Sequence, residues 1–210
     1  MKLQLALDRL TKEECFRIVE ETKGSIDIIE VGTGVIKEYG MTVVREMRNR
    51  FPDHVILADM KTCDAGKHEA DQAFEAGADI TTVMAFSADQ TITDTLKVAN
   101  DAEKQIMIDL LEVHEKEKVA ALEKLGVRLV SLHVGKDKQT DGVFDTELFS
   151  LINEFDFEVA VAGGVNLDSL PSILQEKPDI IIVGSAITGS SQPKEIAANM
   201  KKMMDEFSEK

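Results

Sequence analysis

Short apolar runs alternate with amphipathic stretches from one end of the chain to the other. The runs are rich in Val and Ile, whereas the stretches between them repeat an apolar residue every three or four positions. The first pattern predicts buried strands, and the second predicts helices with one buried face. Because the two kinds of element alternate, the sequence predicts βα units arranged around a parallel sheet.

The pattern predicts about eight strands, each followed by a helix. The strands are expected at Lys2–Leu7, Ile26–Val31, Val55–Asp59, Ile80–Ala85, Gln105–Leu110, Arg128–His133, Glu158–Ala162 and Asp179–Val183. The helices are expected at Lys12–Glu21, Val35–Arg50, His68–Ala76, Thr93–Ala102, Glu115–Leu125, Thr146–Phe155, Leu167–Gln175 and Pro193–Phe207. Dividing 210 residues among eight units leaves about 26 residues for each, which is near the lower size limit of a (β/α)₈ barrel. We therefore expect residues 1–210 to form a single TIM barrel domain.

A doubly wound open sheet is the main alternative to the barrel. Such a sheet usually has fewer strands and a glycine-rich phosphate turn after the first strand, where this chain reads LDRLTK. The helix boundary signals agree with the alternation of strands and helices. Thr11 and Glu14 form a capping-box pattern, and Gly24, Gly77 and Gly126 follow predicted helix ends. Strand number and the missing glycine turn favour the barrel.

Charge and composition exclude several classes of function. The chain has 24 Lys and Arg against 39 Asp and Glu, a net charge of −15, which repels nucleic acids and anionic membrane surfaces. No apolar run approaches the ~20 residues that span a bilayer, and Asp8 interrupts the first run before it resembles a signal peptide. Cys15 and Cys63 lack the spacing of a zinc or redox site. We expect a cytoplasmic protein with reduced thiols and neither nucleic-acid nor membrane partners.

Polar residues stand where the predicted strands end. In a (β/α)₈ barrel these ends converge on one rim, where active sites are built. The residues are Asp8, Glu30, Asp59 with Lys61, Asp109, His133, Gly163 with Gly164, and Gly184 with Ser185. A single one, such as Asp109, could equally cap the next helix. As a group, however, such residues are costly to bury unless they are paired or bind a cation, so they predict an active site.

The third strand ends in the pattern D-x-K-x-x-D, formed by Asp59, Lys61 and Asp64. Strand alternation directs Asp59 and Lys61 to the same side, and a lysine between carboxylates stays protonated. A solvated salt-bridge cluster is the alternative interpretation. Because the pattern follows a buried strand, we expect it to face the barrel mouth.

Glycines follow the last two strands, in AVAGGVN and IIVGSAIT. There a phosphate can approach backbone N–H groups at a helix N-terminus, which is the recurrent phosphate site of such barrels. Plain tight turns would also use glycine. The irregular stretch 134–145, VGKDKQTDGVFD, is long for a barrel loop and is therefore a candidate lid or specificity loop.

These motifs resemble a known family. The segments LALD, DIIEVGT, LADMKTCDAG, LHVGKDKQ, VAGGVNLDSLP and IIVGSAIT together resemble the 3-hexulose-6-phosphate synthase and 3-keto-L-gulonate-6-phosphate decarboxylase family of the orotidine-5′-monophosphate decarboxylase superfamily. The resemblance covers essentially the whole chain. It implies a homodimer of (β/α)₈ barrels in which Mg²⁺ holds an enediolate derived from a phosphorylated ketose. The enediolate attacks formaldehyde in the synthase and forms by loss of CO₂ in the decarboxylase.

The resemblance also implies a role for each strand-end residue. Glu30 and Asp59 would be the metal ligands, and Asp8 would support them or contact substrate. Lys61 would stabilise the enediolate charge, and His133 would transfer the proton. Asp64 would reach into the partner's active site, Asp109 would stand where the decarboxylase has Glu, and Gly163, Gly164, Gly184 and Ser185 would bind the phosphate.

The two activities of the family leave different sequence marks. The decarboxylase pattern has Arg in the last glycine turn and another Arg three residues after the histidine, where this chain has Ser185 and Lys136. The synthase pattern reads H-T-G-Y-D and G-G-G, where this chain reads H-V-G-K-D and G-S-A. Asp109 and the ADMK strand end favour the synthase, and the decarboxylase is the alternative. A non-catalytic sugar-phosphate-binding barrel and a phosphate-binding isomerase or epimerase also stay open.

Overall fold

Eight parallel strands close into a barrel in the computed structural model, which describes residues 1–139 and 144–208. Each strand pairs with the next, and the last pairs with the first through Lys2–Ile180 to Leu5–Val183. The predicted (β/α)₈ barrel is therefore confirmed, and an open sheet is excluded because no strand is an edge. Among the described residues, no helix is both long and apolar enough to cross a membrane.

The elements alternate along the chain as the sequence predicts. The strands are β1 (Lys2–Leu7), β2 (Ile28–Val31), β3 (Val55–Thr62), β4 (Ile80–Met84), β5 (Gln105–Asp109), β6 (Leu129–His133), β7 (Glu158–Ala162) and β8 (Ile180–Val183). The helices are α1 (Lys12–Thr22), α2 (Thr33–Tyr39), α3 (Met41–Arg50), α4 (Gly66–Glu75), α5 (Asp89–Asp101), α6 (Lys116–Lys124), α7 (Leu170–Gln175), α8 (Ser185–Thr188) and α9 (Pro193–Ser208). Short 3₁₀ turns cover Lys136–Lys138 and Thr146–Leu151.

The structure corrects three of the predicted helices. The stretch Val35–Arg50 is divided into α2 and α3 by Gly40, whose φ of +64° an ordinary helix cannot contain. The helix expected over Thr146–Phe155 is a 3₁₀ segment that ends at Leu151. The one expected from Leu167 begins only at Leu170, because the Asn166 side chain accepts the N–H groups of the next residues and holds them in a turn.

The barrel interior is apolar toward the amino ends of the strands and polar at the rim formed by their carboxyl ends. Its lower part is an apolar plug made by Ile28, Leu57, Ile80, Met107, Leu129, Ala160, Ala162, Ile180 and Ile182. Two residues further along β2, β3 and β5 stand Glu30, Asp59 and Asp109, which strand alternation turns to the same interior. A second apolar layer fills the space between barrel and helices. The site therefore rests on a dry floor, where charges interact strongly.

Aspartates at the opposite end of the barrel hold the strands in register. Asp27, Asp79 and Asp179 each precede an even-numbered strand and exchange two hydrogen bonds with the strand before it. The N–H of Asp79 donates to the Ile56 carbonyl at 2.7 Å, and the Ile56 N–H donates back to the Asp79 carboxylate at 2.9 Å. These clamps lie at the amino ends of the strands, so they stabilise the barrel far from the polar rim.

Candidate active site

A cavity of about 540 Å³ opens at the carboxyl ends of the strands. It brings together ten of the eleven residues that the sequence singles out. They are Asp8, Glu30, Asp59, Lys61, Asp109, His133, Gly163, Gly164, Gly184 and Ser185. The missing residue, Asp64, lies in a separate surface depression with residues of α4 and α5. The predicted convergence of the strand-end residues is therefore observed, and Asp64, which the resemblance assigns to the partner's site, lies outside this cavity.

One cation and the carboxylates of two acids form the centre of the site. The Nζ of Lys61 lies 3.2 Å from Oδ2 of Asp59 and 2.8 Å from Oδ2 of Asp109. Asp59 and Asp109 are 7% and 3% exposed, so neither carboxylate is satisfied by bulk water. The solvated-cluster interpretation of D-x-K-x-x-D is therefore wrong, because the pair faces the cavity and is buried.

Opposing effects set the charge of this centre. Burial alone would discharge Lys61, but the charges of Asp59 and Asp109 and their hydrogen bonds outweigh burial and raise the pKa of Lys61. Burial likewise disfavours the Asp109 carboxylate, whereas the hydrogen bond from His133 and the charge of Lys61 lower its pKa to about 2. Lys61 therefore stays protonated beside ionised Asp109, as the sequence predicts.

Asp109 also holds the histidine at the end of β6. The Nδ1 of His133 lies 2.9 Å and 3.1 Å from the two Asp109 carboxylate oxygens. A carboxylate at Nδ1 favours the tautomer with the proton there, which leaves Nε2 as the basic nitrogen. Asp109 does not cap α6, since that helix begins after Glu115. Its local contact is with the N–H of Leu111 at 2.9 Å. The geometry thus links a cation and a base through one carboxylate.

Glu30 is a buried acid held by a residue of β1. Its Oε2 accepts a hydrogen bond of 2.6 Å from Nε2 of Gln4, a fully buried residue of β1. Burial first, and then the negative charge of Asp59, raise the pKa of Glu30 to about 8. The oxygen of the Gln4 amide, Oε1, has no hydrogen-bond partner among the described residues. An unpaired buried carbonyl is unfavourable, so Gln4 serves the site through its N–H rather than through packing.

The charges of the cavity fit a divalent cation. Three carboxyl groups, Glu30, Asp59 and Asp109, face one lysine in the cavity, and the charge of Asp59 adds to burial in raising the pKa of Glu30. No cluster of three or more His, Cys, Asp or Glu in the described ranges could hold a metal ion by itself. Mg²⁺ commonly uses one or two protein carboxylates and completes its shell with substrate and water. Glu30 and Asp59 meet that requirement.

Three hydroxyl and amide groups that the sequence analysis did not single out support these acids. The Thr33 hydroxyl donates to Oδ2 of Asp59 at 2.8 Å, and the Thr82 hydroxyl donates to Oδ1 at 2.7 Å. Gln4 supports Glu30 in the same way. Gln4 carries a sequence signal, because it is a polar residue on the interior side of an apolar strand, whereas threonines are ordinary strand and helix-start residues. All three are buried or half-buried.

Asp8 is fixed by the turn that follows β2. Its Oδ1 accepts the N–H of Gly34 at 2.7 Å. A Cβ on Gly34 would lie 2.4 Å from that oxygen, and a Cβ on Gly32 would lie 2.4 Å from the Leu7 carbonyl. Both glycines are therefore required for the close approach of the two strand ends. This contact holds Asp8 on the cavity wall.

The glycine turns lie on the β7 and β8 side of the cavity. Gly163 and Gly164 have φ values of +105° and +72°, and a Cβ on Gly163 would lie 2.3 Å from the Val134 carbonyl. Within the described ranges, neither of their N–H groups donates a hydrogen bond to the protein. Gly184 has more room, and Ser185 begins the short helix α8. The turns therefore present backbone donors to the cavity.

The mouth of the cavity carries basic side chains. Arg9, Lys136 and Lys138 line it, with Lys138 paired to Glu112 at 2.7 Å and Lys136 contacting the Gln139 side chain at 3.3 Å. The candidate lid, 134–145, begins here. Its residues 140–143 lie outside the described residues, so its role as a lid or specificity loop stays a prediction.

We predict that replacing Glu30 by glutamine changes how stability depends on pH. The folded protein keeps a proton on Glu30 to a higher pH than the unfolded chain does. The metal-free protein should therefore lose stability as the pH rises from 4.5 through about 8. Glu30→Gln cannot ionise and should be more stable than the parent at pH 8.5 by at least about 1.4 kcal/mol, which corresponds to one pKa unit. Near pH 4 the stabilities of parent and variant should agree more closely. Urea unfolding with EDTA measures the stability at each pH, with Glu75→Gln as the exposed control. Parallel pH profiles for parent and Glu30→Gln would refute the prediction.

Comparison with known proteins places the chain in a family. It matches the "Orotidine 5'-phosphate decarboxylase / HUMPS family" over residues 1–200. It is 38% identical over 207 residues to the 3-hexulose-6-phosphate synthase of Bacillus subtilis (strain 168), an alignment that covers 97% of this chain and 99% of that protein. The crystal structure of 3-hexulose-6-phosphate synthase from Salmonella typhimurium has a TM-score of 0.94 at 32% identity and covers 99% of this chain and 100% of that one. The 3-keto-L-gulonate-6-phosphate decarboxylase structure from Vibrio cholerae has a TM-score of 0.84 at 28% identity, with 98% of each chain covered. The family predicted from the motifs is confirmed, and the chain belongs to the orotidine 5′-phosphate decarboxylase/HUMPS family.

Proposed function

We propose that the protein is an aldehyde-lyase of the 3-hexulose-6-phosphate synthase type, which condenses formaldehyde with D-ribulose 5-phosphate through an enediolate. The observation that carries the proposal is the linked group of Lys61, Asp109 and His133 beside the acids Glu30 and Asp59. A base and a fixed positive charge in one dry cavity suit proton removal next to a carbonyl. The full-length relatives named 3-hexulose-6-phosphate synthase support the same reaction.

Phosphate binding and metal binding are assigned to opposite sides of the cavity. The backbone N–H groups of Gly163, Gly164, Gly184 and Ser185 would bind the substrate phosphate. Glu30 and Asp59 would hold Mg²⁺, which when bound supplies positive charge next to the developing oxyanion. Asp8 lies on the same wall and would contact a substrate hydroxyl or support these ligands.

Proton transfer would run through His133. Its Nε2 would take the proton from C1 of the ketose phosphate, and the C–H electron pair would form the C1–C2 double bond of the enediolate. Lys61 would stabilise the negative charge on the oxygen at C2. C1 would then attack the formaldehyde carbon, and protonated His133 would return a proton to the former formaldehyde oxygen. Asp109 would keep the imidazole oriented throughout.

Decarboxylation of 3-keto-L-gulonate 6-phosphate is the second candidate. Lys136 at the cavity mouth favours it, because a cation there can attract a substrate carboxylate, although it lacks the bidentate geometry of arginine. Asp109 and the relatives named 3-hexulose-6-phosphate synthase favour the synthase. A binding barrel without catalysis would not need a half-buried lysine between two acids. A cytoplasmic location and the absence of nucleic-acid and membrane partners remain predictions from charge and sequence.

We further propose a homodimer with shared active sites. Asp64 is exposed and does not line its own chain's cavity. Phe86 is 59% exposed in the neighbouring loop after β4, which contacts β3 through the hydrogen bond from Ser87 to the Thr62 carbonyl. An exposed acid and a large exposed apolar side chain on neighbouring loops beside the cavity suit a two-fold interface through which each chain lends Asp64 to the other.

The proposed reaction is tested with two substrates in parallel. The purified protein with Mg²⁺ should consume formaldehyde and ribulose 5-phosphate and form a hexulose 6-phosphate, and EDTA should abolish turnover until Mg²⁺ is restored. Product analysis with 3-keto-L-gulonate 6-phosphate should show much slower release of CO₂. Faster decarboxylation than condensation would assign the second candidate. Condensation that survives thorough metal removal would contradict the role of Glu30 and Asp59.

Subunit mixing tests the shared site. Lys61→Ala and Asp64→Ala should each be nearly inactive alone, because every site then lacks one group. Mixed after dissociation, they should regain about a quarter of parent activity, since about half of the dimers are mixed and each has one intact site. Asp205→Ala, on the exposed face of α9, mixed with Lys61→Ala controls for dilution. Absence of recovery from the Lys61→Ala and Asp64→Ala mixture, despite demonstrated exchange, would place Asp64 in its own chain's site.

A further inference from the structure

Thr82 forms hydrogen bonds to both Lys61 and Asp59, which have different roles in the proposed mechanism. It lies in β4, is 4% exposed and lines the cavity. Its hydroxyl accepts the backbone N–H of Lys61 at 2.8 Å and donates to Oδ1 of Asp59 at 2.7 Å. Because a hydroxyl has one proton, the donor capacity of Thr82 is used entirely by Asp59.

The contact lies where β3 departs from a regular strand. Ala58 pairs with Thr81 and Thr62 pairs with Val83, so β3 advances four residues while β4 advances two. Within this irregular segment Lys61 has a φ of +48°, a left-handed conformation that residues other than glycine rarely adopt. Its N–H is not part of the regular ladder and bonds to the Thr82 hydroxyl instead. Strained backbone of this kind persists only where surrounding contacts fix it.

The Lys61 side chain starts from this irregular segment and reaches both acids. Its Nζ lies 3.2 Å from Oδ2 of Asp59 and 2.8 Å from Oδ2 of Asp109. The hydrogen bonds of Thr82 therefore restrain both ends of this arrangement, the Lys61 backbone and the Asp59 carboxylate.

We propose that Thr82 is a positioning residue that fixes the Lys61 backbone and the Asp59 carboxylate in one geometry. The inference rests on the proposed function for the step it supports, which is stabilisation of the enediolate. Thr82 itself is not assigned contact with the reacting atoms. Its effect is exerted through the two groups that it binds.

The preceding residue provides a matched control. Thr81 belongs to the same strand, is 1% exposed, and donates its hydroxyl to the Ala58 carbonyl at 3.2 Å. It also connects β4 to β3, but it contacts neither Asp59 nor the Lys61 N–H. Thr81→Val thus removes one buried hydroxyl from the same strand pair without touching the site.

The experiment compares Thr82→Val, Thr82→Ser and Thr81→Val. Thr82→Val should lower kcat for condensation by about 10- to 100-fold and weaken substrate-free Mn²⁺ binding, measured by electron paramagnetic resonance, by about tenfold. KM for ribulose 5-phosphate should change by less than about threefold, because the phosphate contacts lie across the cavity. Thr82→Ser keeps the hydroxyl and should restore most of both losses, and Thr81→Val should stay near the parent.

Two results would overturn the proposal. One is that Thr82→Val behaves like Thr81→Val in both kcat and Mn²⁺ affinity. The other is that Thr82→Ser is as impaired as Thr82→Val. If Thr82→Val does not fold, Thr82→Cys, with a weakly bonding thiol of similar size, takes its place in the same comparison.

A readout independent of turnover separates this proposal from the proposed function. Hydrogen–deuterium exchange at the Lys61 amide should quicken in Thr82→Val and stay near the parent in Thr82→Ser. If the parent shows no condensation, the proposed function fails, while this exchange still decides whether Thr82 holds the Lys61 backbone. Equal protection of the Lys61 amide in parent and Thr82→Val would contradict the positioning role.

Discussion

The pairing of the Lys61 ammonium with Asp59 and Asp109 is the interaction on which the site depends. An aspartate left alone in this cavity would be strongly destabilising, because neither Asp59 nor Asp109 is solvated by bulk water. The half-buried lysine compensates the charge of the two acids, and each group fixes the position of the others. Asp109 extends the arrangement to His133, so one ion-pair network holds the ends of β3, β5 and β6 in a single geometry.

The closed barrel places this network between an apolar interior and the open cavity. Below it lies an apolar plug, and the acids stand only two residues further along the same strands. The glycine turns follow β7 and β8, which lie across an eight-stranded ring from β3 and β4. That separation suits the proposed substrate, because the anionic phosphate would be bound by neutral N–H groups on the side of the ring opposite Asp59. The three carboxyl groups Glu30, Asp59 and Asp109 outnumber the one lysine among them, which leaves a place for a cation.

The architecture and most of the site could be predicted from the sequence, because both depend on short local patterns. Val- and Ile-rich runs define the strands, and a charged residue directly after such a run must lie on the rim, which locates Glu30, Asp109 and His133. The division of one predicted helix at Gly40 is harder to see, since apolar periodicity continues across that glycine. Thr82 cannot be singled out from sequence at all. Threonine is an ordinary strand residue, and only the irregular register of β3 against β4 shows that its hydroxyl binds Lys61.

The central claim is that this network makes C1 of a ketose phosphate acidic and that His133 removes the proton. Deuterium incorporation at C1 of ribulose 5-phosphate, in D₂O with Mg²⁺ and without formaldehyde, tests it most directly, because exchange reports enediolate formation before any carbon–carbon bond forms. The account predicts exchange by the parent and a loss of roughly 10²–10⁴-fold in His133→Ala, with sugar-phosphate binding little changed. Exchange by His133→Ala at the parent rate would contradict the assignment of the base. If the parent condenses ribulose 5-phosphate with formaldehyde but shows no deuterium exchange when formaldehyde is omitted, the enediolate route is contradicted.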